Sequence, residues 1–288
     1  MTTETKTTHI LVLFIIIFSF AASLTGILWQ GDNGEYTFTS LRGEDVKMQG
    51  AGLYKYESAS MAAQAIAQDF VTLILGIPVL IGALIFSIKG SLRGRLLLCG
   101  TIGYFLYTYT SYAFGAAYNQ LFLVYVATFS VSLFALILSI RSINVEEIKS
   151  AFSPKTPRRL VAGFELFVGV LILLMWLGRI LPALKNGAPP IGLETYSTLF
   201  IQVLDLGIVV PVAILAGILL LRKGAWGYVL SVIFLVKGMT LSAAVTAMVF
   251  NMIAVGVTVS PAEMVIFPSL MLFTVVLTWL FLKQMKVS

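Results

Sequence analysis

Residues 78–98 read PVLIGALIFSIKGSLRGRLLL. An unbroken apolar run enters a short turn carrying Lys89, Gly90, Ser91, Arg93 and Arg95, and a second apolar run leaves it. Roughly 20 apolar residues in a helix cross a hydrocarbon core about 30 Å thick. Two such runs joined by a tight basic turn make a membrane hairpin, with the turn on the cytoplasmic side.

The rest of the chain agrees. Its 288 residues are 59% hydrophobic and 11% charged, with a mean hydropathy of +0.97. Soluble domains are about 45–50% apolar and about 25% charged. The class is an all-α, polytopic membrane protein whose first partner is the lipid bilayer. The net charge of +6 fits loops facing anionic lipid, and no nucleic-acid partner is expected. Cys99 is the single cysteine, which excludes an internal disulfide and a CxxC redox pair. His9 is the single histidine, which removes histidine-based metal, haem and catalytic-dyad chemistry. No metal and no cofactor are expected.

Eight apolar runs predict eight transmembrane helices, at about 10–29, 70–88, 96–117, 121–140, 160–182, 198–221, 227–253 and 264–283. They are continuous rather than alternating, so helices and not barrel strands are implied. With the N-terminus inside, the inner segments hold Lys6, Lys89, Arg93, Arg95, Arg141, Lys149, Lys155, Arg158, Arg159, Arg222, Lys223, Lys283 and Lys286. The outer segments hold only Arg42, Lys47, Lys55 and Lys185. This asymmetry predicts a multi-pass cell-membrane protein with both termini cytoplasmic. A signal peptide cut after Ala21 is the competing reading of residues 1–22; the apolar run continues to Trp29, which favours an uncleaved first helix.

The quoted hairpin has an echo, PVAILAGILLLRKGAWGYVLS at 211–231. A single ungapped shift sets Pro78 on Pro211, Lys89 on Arg222 and Gly94 on Gly227. Two parallel four-helix repeats are the resulting expectation: residues 1–140 with an outer segment at 30–69, a cytoplasmic linker at 141–159, and residues 160–288. In the outer segment, residues 53–70 read as a helix leading into the second span. GLYKYES (52–58) also echoes GLETYS (192–197), at a different offset.

Polar groups inside a span are costly unless they face protein or water, which makes each a candidate site residue. In GYFLYTYTSYAFGAAYNQ (103–120), the residues Tyr104, Tyr107, Thr108, Ser111, Gly115 and Tyr118 fall on one helical face at 100° per residue. Lys237 lies near mid-membrane in the seventh span and shares a face with Thr240, Ala244 and Asn251. Under the shift that superposes the hairpins, Tyr104, Tyr107, Ser111 and Tyr118 match Lys237, Thr240, Ala244 and Asn251. Gln202 and Asp205 enter from the sixth span, Asp69 from the second and Arg179 from the fifth.

Each residue also has a structural reading. Asp69 and Arg179 can cap a helix or snorkel, Asp205 can pair with Arg179, and Lys237 can pair with Glu165. The functional expectation is an outward-facing polar cavity that binds or transports an unidentified small molecule. Its ligand-binding set is Lys237, Asp205, Gln202, Tyr104, Tyr107, Ser111, Thr240, Asn251, Asp69 and Arg179, with no catalytic residue assigned. Two alternatives stand beside it. One is a membrane-embedded enzyme acting on a lipid or isoprenoid through Asp69 or Asp205. The other is a non-catalytic sensor or assembly subunit that meets a membrane-protein partner through residues 30–69.

Overall fold

Lipid offers the backbone no hydrogen-bond partners, so an apolar run satisfies its N–H and C=O groups within its own helix. The computed structural model describes residues 3–31 and 34–286, and helices dominate it. Seven helical segments among the described residues are long and apolar enough to cross a membrane. They are Thr3–Leu28 (α1), Ala59–Ile88, Phe122–Arg141 (α5), Arg158–Asn186 (α7), Phe200–Leu221, Ala225–Ala254 (α10) and Pro261–Leu282 (α11).

The remaining expected span is the 24-residue helix Leu92–Gly115 (α4). It has the length, but its tyrosines, threonines and glycines leave it short of the hydropathy of the others. Its surroundings explain why that is tolerated. It packs against α5, α10 and Ile77–Ile88 (α3), and Tyr104, Phe105 and Tyr109 are completely buried. A helix enclosed by protein can carry hydroxyls that a lipid-facing one cannot.

Two of the seven segments are compound. Ala59–Val71 (α2) passes through a π-helical turn, Thr72–Gly76, into α3; Phe200–Leu204 (α8) passes through a second, Asp205–Val209, into Val210–Leu221 (α9). A proline lies just beyond each turn, Pro78 and Pro211. Proline lacks an N–H and clashes with the carbonyl four residues back. The wide turn answers this with longer-range bonds, from Ile77 N–H to Thr72 O and from Val210 N–H to Asp205 O. The turns, the prolines, the helix ends at Ile88 and Leu221 and the next helix starts at Leu92 and Ala225 all recur at the offset that carries Pro78 onto Pro211.

The structure revises the outer segment. The expected helix at 53–70 and the span at 70–88 are one rod from Ala59 to Ile88. Before it stands an antiparallel hairpin absent from the sequence expectation, Tyr36–Thr39 (β1) on Asp45–Met48 (β2), with Tyr36 opposite Met48. The segment 141–159 contains Val145–Ala151 (α6), whose Ile148 is fully buried. The Phe152 ring packs, tilted, with its centroid 4.8 Å from those of both Tyr228 and Phe281. Arg141 pairs with Glu4 at 3.0 Å, and Arg93 donates to Met285 O at 2.8 Å. One end of the molecule, the basic face, therefore gathers the start of α1, the end of α5, the 141–159 segment and residue 285. The opposite end, the loop face, carries 29–58 and 187–199.

The two halves close differently. α1 lies along α5, and the buried positions of both helices include small and hydroxyl side chains: Ser19, Ala22, Ser23 and Gly26 on α1, and Thr128, Ser132, Ala135 and Ser139 on α5. Small residues at three- and four-residue spacing let membrane helices approach closely. α7 and α11 scarcely touch. Their meeting point is Phe164 and Phe273, with ring centroids 5.2 Å apart.

Gly26 sits where α1 meets the Asp69 carboxylate and the Tyr54 hydroxyl, and a methyl group there would collide with both. Overpacking of this kind costs about 1–3 kcal/mol. Gly26→Ala is expected to lower the thermal unfolding midpoint in detergent by several degrees, while Leu24→Ala on the exposed side of α1 leaves it nearly unchanged.

Candidate functional site

A cavity of about 620 Å³ lies among α2, α4, α7, α8, α10, α11 and the 192–199 segment. Its apolar wall includes Ile172 and Met175 from α7, Leu241, Val245 and Met248 from α10, and Phe267 from α11. Its polar wall includes Gln68, Tyr107, Ser111, Gln202 and Asp205, with Glu57, Arg179, Glu194 and Tyr196 toward the loop face.

Asp205 is the anchor of the polar wall. It is the first residue of the second π turn. Tyr107 Oη donates to its Oδ1 at 2.8 Å, and Trp176 Nε1 donates to its Oδ2 at 2.9 Å. Three separate elements thus meet at one carboxylate. The Lys237 amine stands 4.1 Å from the centroid of the Tyr107 ring, in the geometry of a cation–π contact. Lys237 is one helical turn below Leu241, toward the basic face, and outside the cavity lining. Gln202 bridges to Arg179: with its amide oriented to satisfy both ends, it donates to Leu199 O at 3.3 Å and accepts from Arg179 Nη1 at 3.2 Å. Arg179 Nε also donates to Ile191 O at 2.8 Å.

Of the sequence-predicted set, Tyr107, Ser111, Arg179, Gln202 and Asp205 line the cavity together. Lys237 touches it through Tyr107. The other four lie elsewhere. Tyr104 is buried behind the wall, accepting from Gln68 Nε2 at 2.6 Å and 2.9 Å from Thr72 Oγ1. Thr240 donates back to carbonyls of its own helix. Asn251 ties α10 to α2 by donating to Ala63 O at 2.7 Å. Asp69 is 1% exposed and is met by the hydroxyls of Tyr54 and Tyr112.

The structural readings change accordingly. Asp69 is no interfacial cap, because it sits inside a tyrosine cluster. Among the described residues no carboxylate oxygen lies within 4.0 Å of Lys237 or Arg179, so neither the Lys237–Glu165 pair nor the Arg179–Asp205 pair forms. Glu165 instead accepts from Ser231 Oγ at 3.0 Å. Of the stripe in residues 103–120, Tyr107 and Ser111 face the cavity, Phe200 lies over Gly115, and Tyr118 is 75% exposed.

Sequence reasoning missed Trp176 and the loop-face end of the cavity. There the two echoing stretches interlock. Ser58 donates to Glu194, and Tyr196 donates to Glu57. Each stretch begins at a glycine with φ near +70°, Gly52 at +71° and Gly192 at +72°, a conformation glycine adopts without steric cost. The echo was legible, but its crossed pairing depends on two loops from different halves of the chain meeting in space. Glu57 also accepts from Ala117 N–H at 2.7 Å, and the Arg42 guanidinium reaches Tyr196 O.

Burial raises the Glu57 carboxyl above its ordinary value, against the hydrogen bonds from Tyr196 and Ala117. Burial raises Glu194 as well, with Ser58 and Arg179 opposing and Glu44 reinforcing. A buried carboxyl with a raised value holds its proton more tightly in the closed clasp than in an open one. Closure is therefore favoured at low pH and weakens as pH rises through the raised values. The Ala117 amide is expected to lose protection against hydrogen exchange, beyond the intrinsic rate, as pH rises from the ordinary carboxylate value of 4.5 through the raised values of Glu57 and Glu194. In Glu57→Gln/Glu194→Gln that pH dependence is expected to disappear.

Compared with family models, curated proteins and solved structures, the chain shows no match.

Proposed function

We propose that this chain is a multi-pass membrane protein that binds a small amphipathic molecule in the cavity between α4, α7 and α10. The observation that carries this reading is the convergence of Tyr107, Asp205, Gln202 and Arg179 on one wall of a space of about 620 Å³ that is otherwise largely apolar. Ligand pockets of roughly 300–1,000 Å³ share that composition: an apolar body with a few placed polar groups. In this reading α4 is the eighth span, the two halves are parallel repeats about an axis along the membrane normal, and the basic face is cytoplasmic.

The recurrence of the π turns, prolines and helix boundaries at one constant offset supports the repeat. The same offset pairs Thr72 with Asp205 and Tyr104 with Lys237. In the first half that position holds a neutral hydrogen bond, Thr72 to Tyr104 at 2.9 Å. In the second it holds two ionisable groups beside the cavity. The enzymatic alternative has less support, because Asp69 is buried away from the cavity and Asp205 is engaged by two donors.

Cys99 is fully buried, which gives a quiet background for labelling. Ser111→Cys in a Cys99→Ala chain is expected to react with a water-soluble maleimide added from the loop face, while the wild-type chain stays unlabelled. Failure of the introduced thiol to react in the folded protein would mean that no such accessible cavity exists.

A further inference from the structure

The cavity wall continues to the outside of the helix bundle. Met175 lines the cavity and is also 42% exposed. Phe267 lines the cavity from α11 and is itself partly exposed. The helices that carry them have little contact with each other above the Phe164–Phe273 pair. In the first half the corresponding helices, α1 and α5, pack against each other extensively. In the second half the bulky side chains Phe167, Val170, Leu174 and Phe273 face outward instead. The seam is thus a feature of one half only, and it is the half whose polar pair, Asp205 and Lys237, is ionisable.

Arg179 stands on the cavity wall toward the loop face, where lipid headgroups would lie. No carboxylate oxygen comes within 4.0 Å of it among the described residues. Glu194, the acidic group close enough for Arg179 to act on its charge, accepts from Ser58. The Glu263 carboxylate is committed to Ser260, accepting from its N–H and its hydroxyl at 2.9 Å each. A guanidinium in a membrane passage favours an anionic oxygen partner.

Building on the cavity reading above, we propose that the seam between α7 and α11 admits one acyl chain of an anionic bilayer lipid, with its acidic head held at Arg179. The chain lies against Ile172, Val245 and Met248. The head remains near the loop face, so the lipid enters sideways without crossing the bilayer core. The opening points into lipid, which makes the bilayer rather than the aqueous phase the source.

The test uses the full chain in phosphatidylcholine nanodiscs doped with phosphatidylglycerol bearing a diazirine at one acyl tip. After irradiation, peptide mapping is expected to find the label on Ile172, Val245 or Met248. A phosphatidylcholine diazirine probe, whose phosphate is offset by its own trimethylammonium and attracts the guanidinium less, is expected to label these residues about tenfold less. Arg179→Gln is expected to abolish the difference. Met175→Trp, which narrows the seam without touching Arg179, is expected to reduce labelling by both probes.

Label confined to Leu174, Val265 and Phe273 would overturn the proposal, as would equal labelling by the two lipids. Labelling by a water-soluble short-chain fatty-acid diazirine, but not by the bilayer probe, would overturn the bilayer source. Alkylation of the Ser111→Cys chain separates the two failures: a reactive thiol with no lipid label sinks this inference alone, and an unreactive thiol sinks the cavity with it.

Discussion

A carboxylate placed inside a membrane slab must be satisfied by protein or water, and Asp205 meets that constraint with donors from two other helices. Tyr107 brings α4 to it and Trp176 brings α7. The carboxylate is available because Pro211 is preceded by a π turn, which opens with Asp205. These hydrogen bonds set the distance between the central helix and the outer one. The polar wall of the cavity is organised around them, with Gln202 and Arg179 on the loop-face side and Lys237 beneath the Tyr107 ring.

The chain uses similar local devices in its two halves for different ends. In the first, the π turn presents Thr72 to Tyr104 and Gln68, and α1 seals the bundle against α5. Its buried charge, Asp69, is enclosed by tyrosines and by Gly26. In the second half, α7 keeps contact with α9 but scarcely meets α11. The first half is thus closed where the second is open, and the open side borders the cavity.

Much of the helical frame was legible in the sequence, because span length and basic turns are one-dimensional signals. The hairpins at 78–98 and 211–231, the constant offset between them and the polarity of α4 were all readable there. The destination of each side chain was not. A helical wheel groups Tyr104 with Tyr107, but the neighbours divide them, Tyr104 going to α2 and its π turn and Tyr107 to Asp205. A wheel gives an angle and says nothing of what stands at that angle. Opposite charge suggests a Lys237–Glu165 pair, with the lysine reaching down to a deeper carboxylate, whereas the actual contacts of each are a ring and a hydroxyl. The β1–β2 hairpin escaped notice because such short strands carry too little alternation to register. Glu57 and Glu194 escaped because their value lies in a crossed contact between distant loops.

The central claim is a selective site for one amphiphile, and native mass spectrometry of the chain released from its membrane in mild detergent tests it most directly. One bound anionic amphiphile per chain, surviving activation that strips the loosely held lipid, is the expected result. A bare chain, or a ladder of unselective lipid adducts, would contradict it.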